Sequence, residues 1–270
     1  FGISGRARPK ETAMRKAIAS ILILSMLVLL LSACGKDAGS SEQSLHLRII
    51  DGAGTGSLIL AGDQVYQLPT EGLKIMVGDK KGSPEDLANG MMVDVEYSGS
   101  VEETMPARIS GARSLSIPAS RKNMTRSTDG AFYDLCSLYL KVLDTLWYDN
   151  PELNDDIEYI SVDLSDAPGS LTSVERSAIA WAFASRHKAV PLELSINELM
   201  DTGYIHLSDL RWNDGLLFTI SSGMSSSTLG TISFEGAKWR SGNGTVSYKN
   251  CISITKVVFR LQKLRFGYKY

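Results

Sequence analysis

The chain has 270 residues, 28 basic and 30 acidic, and 43 % of them are apolar. That is enough apolar material for one large domain or two small ones with packed cores. Residues 1–33 hold five basic residues and one acidic residue, which leaves 23 basic against 29 acidic in the remainder. A negative balance of this kind argues against a general nucleic-acid or anionic-lipid surface, since both need clustered positive charge.

Residues 1–13 precede the first methionine and are set aside from the fold. Met14, Arg15 and Lys16 open a run, residues 17–31, with no charge, Pro or Gly. A basic start, an apolar centre and a small-residue exit are the three parts of a secretory signal peptide. From Ala17 to Cys34 the run is 18 residues, at the lower edge of the roughly 20 that cross a membrane. No basic cluster follows it as a stop. Leu31-Ser32-Ala33-Cys34 resembles the lipobox of bacterial prolipoproteins. The resemblance implies that the Cys34 thiol receives a diacylglycerol and that the chain is cut just before it. The mature protein then sits on the outer face of the cell membrane, held by lipid on Cys34.

Residues 34–44 are small and polar and read as a flexible tether. Residues 45–118 read as a small all-β module. Short strand-like runs, "LHLRII", "LILAG", "QVYQL", "LKIMVG", "MMVDVEY" and "ARISGARSLSI", are separated by Gly, Asp and Pro, as in a small barrel or sandwich. The cluster Gly52-Ala53-Gly54-Thr55-Gly56 is followed by a strand-like run. A dinucleotide fingerprint needs a helix there to hold the pyrophosphate, so the cluster reads as a hairpin turn. Residues 89–109, through Gly90, the Val93/Val95/Tyr97 alternation, Gly99, Glu103-Thr104, Pro106 and Ile109, resemble small OB-like modules of unknown function in Gram-positive lipoproteins. That resemblance implies a location and a fold, with no activity attached.

Residues 119–130 form a polar linker, and residues 131–270 read as an α+β domain. Phe132, Leu135, Cys136, Tyr139, Leu143, Leu146 and Trp147 recur at helical spacing up to Tyr148, where Asp149-Asn150-Pro151 stops the helix. "IEYISVDLS" is a strand. Thr172 with Glu175, and Ser195 with Glu198, make capping boxes, in which side chains satisfy a helix's first free amides. They open one helix running to about His187 and a short one ending at Gly203. The remaining runs read as antiparallel strands. The fold class expected is therefore α+β, an OB-like barrel followed by an antiparallel sheet with helices, with a cystatin- or NTF2-like roll as one form.

Chemistry is sparse. No GxSxG, HExxH or P-loop occurs. Ser185–Lys188 fits SxxK and Ser241–Asn243 fits SxN, but the KTG partner of the penicillin-recognising enzymes is missing. Asp149, Glu152, Asp155, Asp156 and Glu158 could hold calcium, yet lack EF-hand spacing, and read as a solvated loop. Cys136 and Cys251 either pair or, as the apolar setting of Cys136 favours, stay free. His46, His187 and His206 are scattered and read as structural or surface residues. The last 15 residues, with Lys256, Arg260, Lys263, Arg265 and Lys269, read as a basic tail or a strand with a basic edge. The most site-like stretch is "KWRSGNG", where Trp239 offers a stacking face and Arg240 a planar donor fork. Tyr159 and Trp181 are candidate lining. No metal or cofactor is expected. The function expected is non-enzymatic binding of a small molecule, peptide or envelope protein. The alternatives are an envelope hydrolase with a dispersed site and a structural accessory subunit.

Overall fold

The structure is a computed structural model that describes residues 42–117, 134–206, 208, 210–223, 231–254 and 261–262. The compact unit to which they belong begins at Glu42. Cys34, residues 119–130 and all five basic residues of the C-terminal tail lie outside the described residues.

The first half is a nine-stranded sheet. Its strands are β1 (Gln43–Asp51), β2 (Ser57–Ala61), β3 (Val65–Pro69), β4 (Lys74–Val77), β5 (Lys80–Lys81), β6 (Met92–Tyr97), β7 (Val101–Glu102), β8 (Ala107–Ile109) and β9 (Ala112–Ile117). Their order in the sheet is β5-β4-β9-β6-β1-β2-β3-β8-β7. β6 alternates as the sequence does, with Val93, Val95 and Tyr97 buried and Met92 half-buried. The glycine cluster is the β1–β2 turn. Gly52 sits at φ +90°, and a side chain there would meet the Ser57 carbonyl at 2.0 Å, so the turn needs glycine. β8 pairs parallel with β3, while β9, two residues further on, pairs antiparallel with β6 and parallel with β4.

The second half is a six-stranded sheet of β10 (Tyr159–Asp163), β11 (Val190–Leu192), β12 (Gly215–Ser222), β13 (Thr231–Ser241), β14 (Gly244–Ile254) and β15 (Leu261–Gln262), ordered β11-β10-β12-β13-β14-β15. Among the described residues three α-helices accompany it: α1 (Leu135–Tyr148), α2 (Ser173–Arg186) and α3 (Ile196–Asp201). Both capping boxes form as the sequence predicts. α1 starts on an N-cap at Asp134, whose carboxylate accepts from the Ser137 amide at 2.7 Å.

The fold is thus mixed α+β with two sheets, and one expectation needs correction. The second sheet is not wholly antiparallel, because β11 and β12 both run parallel to β10. A parallel neighbour requires a crossover, and α2 and α3 supply the two. β12 to β15 are antiparallel as expected. β11 ends the sheet with Pro191 at its centre. The Val190 amide points inward to the Glu158 carbonyl at 2.8 Å, so the next residue faces outward, and Pro191 has no N–H to offer another strand.

Three apolar clusters show how the layers stack. Leu47, Ile49, Leu58, Leu60, Tyr66, Val93, Val95 and Leu115 fill the first sheet's own interior. Ile50, Ile59, Ala61 and Val65 point out of its back into a second cluster with Leu143, Leu146, Ile179 and Phe183 of the helices and Ile160, Phe218 and Phe234 of the other sheet. α1 and α2 are therefore sandwiched between the two sheets, and β1 to β3 form a wall with apolar residues on both faces. A third, smaller cluster lies on the far face of the six-stranded sheet, under α3.

Candidate functional site

Strand β13 carries alternate side chains to opposite faces, and this separates the residues that the sequence placed together. Lys238 and Arg240 turn toward the end of α1. Trp239 turns to the far face.

Lys238 is fully buried. Its ammonium donates to the carbonyls of Trp147 (3.2 Å), Asp149 (2.5 Å) and Asn150 (3.1 Å) and to Asn154 Oδ1 (3.0 Å). The last carbonyls of a helix have no partner within it, and the chain reverses through Asn150 at φ 49°. Lys238 satisfies that exposed end from inside the protein. Burial pulls its pKa down to about 8, and the nearby Asp149 charge only partly opposes this. Tyr248 of β14 donates to the Asp149 carboxylate beside it.

Arg240 does the same for the next turn. It donates to the carbonyls of Leu153 (2.8 Å), Asp155 (2.6 Å), Asn213 (2.5 Å) and Trp212 (3.4 Å). The donor fork that a carboxylate ligand would use is thereby engaged with main-chain oxygens. The acidic stretch 149–158 is shaped by these two cations. Among the described residues no group of three or more His, Cys, Asp or Glu side chains is placed to hold a metal ion.

Trp239 joins Tyr159, Leu192, Leu194, Met200 and Tyr204, all half-buried, around the fully buried Leu199 and Trp212. Tyr159 and Tyr204 meet edge to face at 5.3 Å, and Tyr204 and Trp212 lie 5.8 Å apart. The Trp212 ring lies on Gly215, where a Cβ would come within 2.0 Å of it, so a glycine is what lets the indole lie flat on β12. The Tyr159 phenol is held above its usual pKa by its hydrogen bond to Glu158 and by that residue's charge. This face offers half-covered aromatic rings beside two carboxylates, Glu158 and Asp214.

The structure thus brings Tyr159 and Trp239 into one cluster, turns Arg240 away, and leaves Trp181 half-buried on α2. Sequence reading missed Tyr204 and Trp212, which lie in the crossover after α3, where no periodic pattern singles them out. Cys136 is a free, buried thiol, and burial pushes its pKa up. Ser185 and Lys188 are exposed at the end of α2, and His46 pairs with Asp94 across β1 and β6 at 2.7 Å.

Compared with protein-family models, with curated proteins and with solved structures, the chain matches none.

Proposed function

We propose that this chain is a lipid-anchored extracytoplasmic protein, carried on the membrane by lipid on Cys34, that binds a small molecule, peptide or envelope component without chemical turnover. The observation that carries the anchoring is the basic start at Arg15-Lys16, the uncharged run after it and its end at Leu31-Ser32-Ala33-Cys34. Seven residues then separate Cys34 from Glu42, where the compact unit begins. Among the described residues no helix is long and apolar enough to cross a membrane.

The binding surface in this reading is the aromatic face of Tyr159, Tyr204 and Trp239. Half-exposed rings, two on strands β10 and β13 and one on the connection after α3, give stacking area at little entropic cost. Arg240 acts from behind, holding the loop at Trp212 and Asn213. The first sheet is, in the same reading, an OB-like module. Its support is the path of β8 and β9. The two are joined through Ser110-Gly111 and run in the same sense, and they pair with β3 and β6, two strands on opposite sides of β1.

Labelled-palmitate incorporation tests the anchor. The wild-type chain takes label and Cys34→Ala does not; equal labelling of both overturns the reading. For the surface, chemical-shift mapping with soluble peptidoglycan fragments and a mixed peptide pool is expected to move Tyr159, Tyr204 and Trp239. Trp239→Ala weakens that binding at least tenfold. Binding unchanged in Trp239→Ala removes this face from the proposal.

A further inference from the structure

His187 caps the end of α2 in an uncommon setting. Its ring stacks on Trp147 of α1, with centroids 3.6 Å apart and planes 14° from parallel. Phe183 closes on it edge to face at 4.9 Å. Its Nε2 is buried and has no hydrogen-bond partner among the described residues. Next to it, Arg186 reaches across to the first sheet. Arg186 donates to both Asp51 carboxylate oxygens at 2.6 and 2.8 Å, and to Asp144 of α1 at 2.9 Å. The ring and the guanidinium therefore seat one helix end on α1 and on β1 together.

We propose that His187 is an acid-sensitive latch: gaining a proton loosens the end of α2 from Trp147 and with it the Arg186 bridge to the first sheet. The reason lies in the two forms of imidazole. A neutral ring can keep its hydrogen on Nδ1 and leave Nε2 bare. The protonated ring must carry N–H on both nitrogens, and a buried donor without an acceptor costs of order the full desolvation of that group.

Charges from each neighbouring element bear on the outcome. Asp144 of α1 favours protonation, while Arg186, on the histidine's own helix, opposes it. Asp51 of β1 is already engaged by Arg186. The sheet side is apolar, since Phe183 and Trp147 lead on to Phe218. Burial is the largest influence, and the pKa of His187 is lowered from its usual value. Attraction between an imidazolium and the Trp147 face works the other way, so the direction of the titration decides the matter.

The test is a ring-resonance titration of the three histidines in the full chain. Alongside it, amide exchange of His187, Lys188 and Ala189, corrected for intrinsic pH dependence, is followed between pH 7.5 and 5. These amides bond the Ala184 and Ser185 carbonyls. His187 is expected to titrate below the roughly 6.5 of a free histidine, with those amides exchanging at least tenfold faster at the acid end. His187→Phe, which keeps a stacking ring, is expected to hold them slow throughout. Titration of His187 at or above the free value overturns the latch. So does equal acid acceleration in wild type and His187→Phe. If the variant fails to fold, the wild-type titration and exchange decide alone.

Discussion

Two cations tie the helix layer to its surroundings, and they do it in opposite ways. Arg186, at the end of α2, faces carboxylates: Asp51 and Asp144 take four hydrogen bonds from a side chain that stays 32 % exposed. Burial alone would lower its pKa, and the two carboxylates more than reverse that. Lys238, at the end of α1, is wholly buried, and the four atoms that accept from it are neutral oxygens. Among the described residues its charge is met by main-chain carbonyls and the Asn154 amide oxygen rather than by a directly hydrogen-bonded counter-charge, and its pKa falls to about 8. The lesson is that a buried cation can cap a helix from within the fold, but it then keeps much of its desolvation cost.

The sharpest way to break this contrast is Lys238→Ala. It removes the ammonium shared by the Trp147, Asp149 and Asn150 carbonyls and Asn154 Oδ1 and opens a cavity, and a loss of about 3 kcal/mol in denaturant unfolding is expected. A loss under about 1 kcal/mol would show that water replaces the ammonium and that the capping account is wrong. Arg186→Leu should cost less, about 1–2 kcal/mol, because the freed carboxylates lie nearer to solvent. A cost as large as that of Lys238→Ala would erase the distinction drawn between the two.

The smallest expected effect is on pH dependence. With its pKa near 8 when folded and about 10.4 when unfolded, Lys238 holds fewer protons in the folded chain between those values. Its contribution therefore makes stability rise with pH across that window, and the cost of burying the charge is felt in full below it. The stability difference between wild type and Lys238→Met should shift in favour of wild type from pH 8 to 10. A difference that is flat or falls across that range would mean that the ammonium is not desolvated as described.

Much of the local structure was legible in residues alone. The Val93/Val95/Tyr97 alternation is half-buried β6, Thr172 and Ser195 open α2 and α3, and the glycine run at Gly52 is a hairpin turn. In each case the deciding interactions lie within a few residues of one another. The parallel neighbours β10, β11 and β12 were less visible, since strand pairing joins residues 31 and 56 positions apart, as in Tyr159 with Val190 and with Gly215. One tertiary feature does leave a mark in the chain. The run Leu58–Ala61 is apolar without alternation, the mark of a strand buried on both faces. It forms part of the wall between the first sheet and the helices.

The candidate site divides along the same line. That Trp239 and Arg240 are neighbours is a fact of the chain, and it suggested that they share a site. The pleat of β13 sends them to opposite faces, so Trp239 meets Tyr159, Tyr204 and Trp212 while Arg240 closes the loop after α1. By itself the sequence determined the capped helices, the alternating strand β6 and the turn at Gly52, because each depends on short-range geometry. Only the tertiary structure decided which cations became struts, which aromatic rings stayed half-exposed and which strands ran parallel. Those outcomes depend on contacts between segments far apart in the chain, and no residue carries them alone.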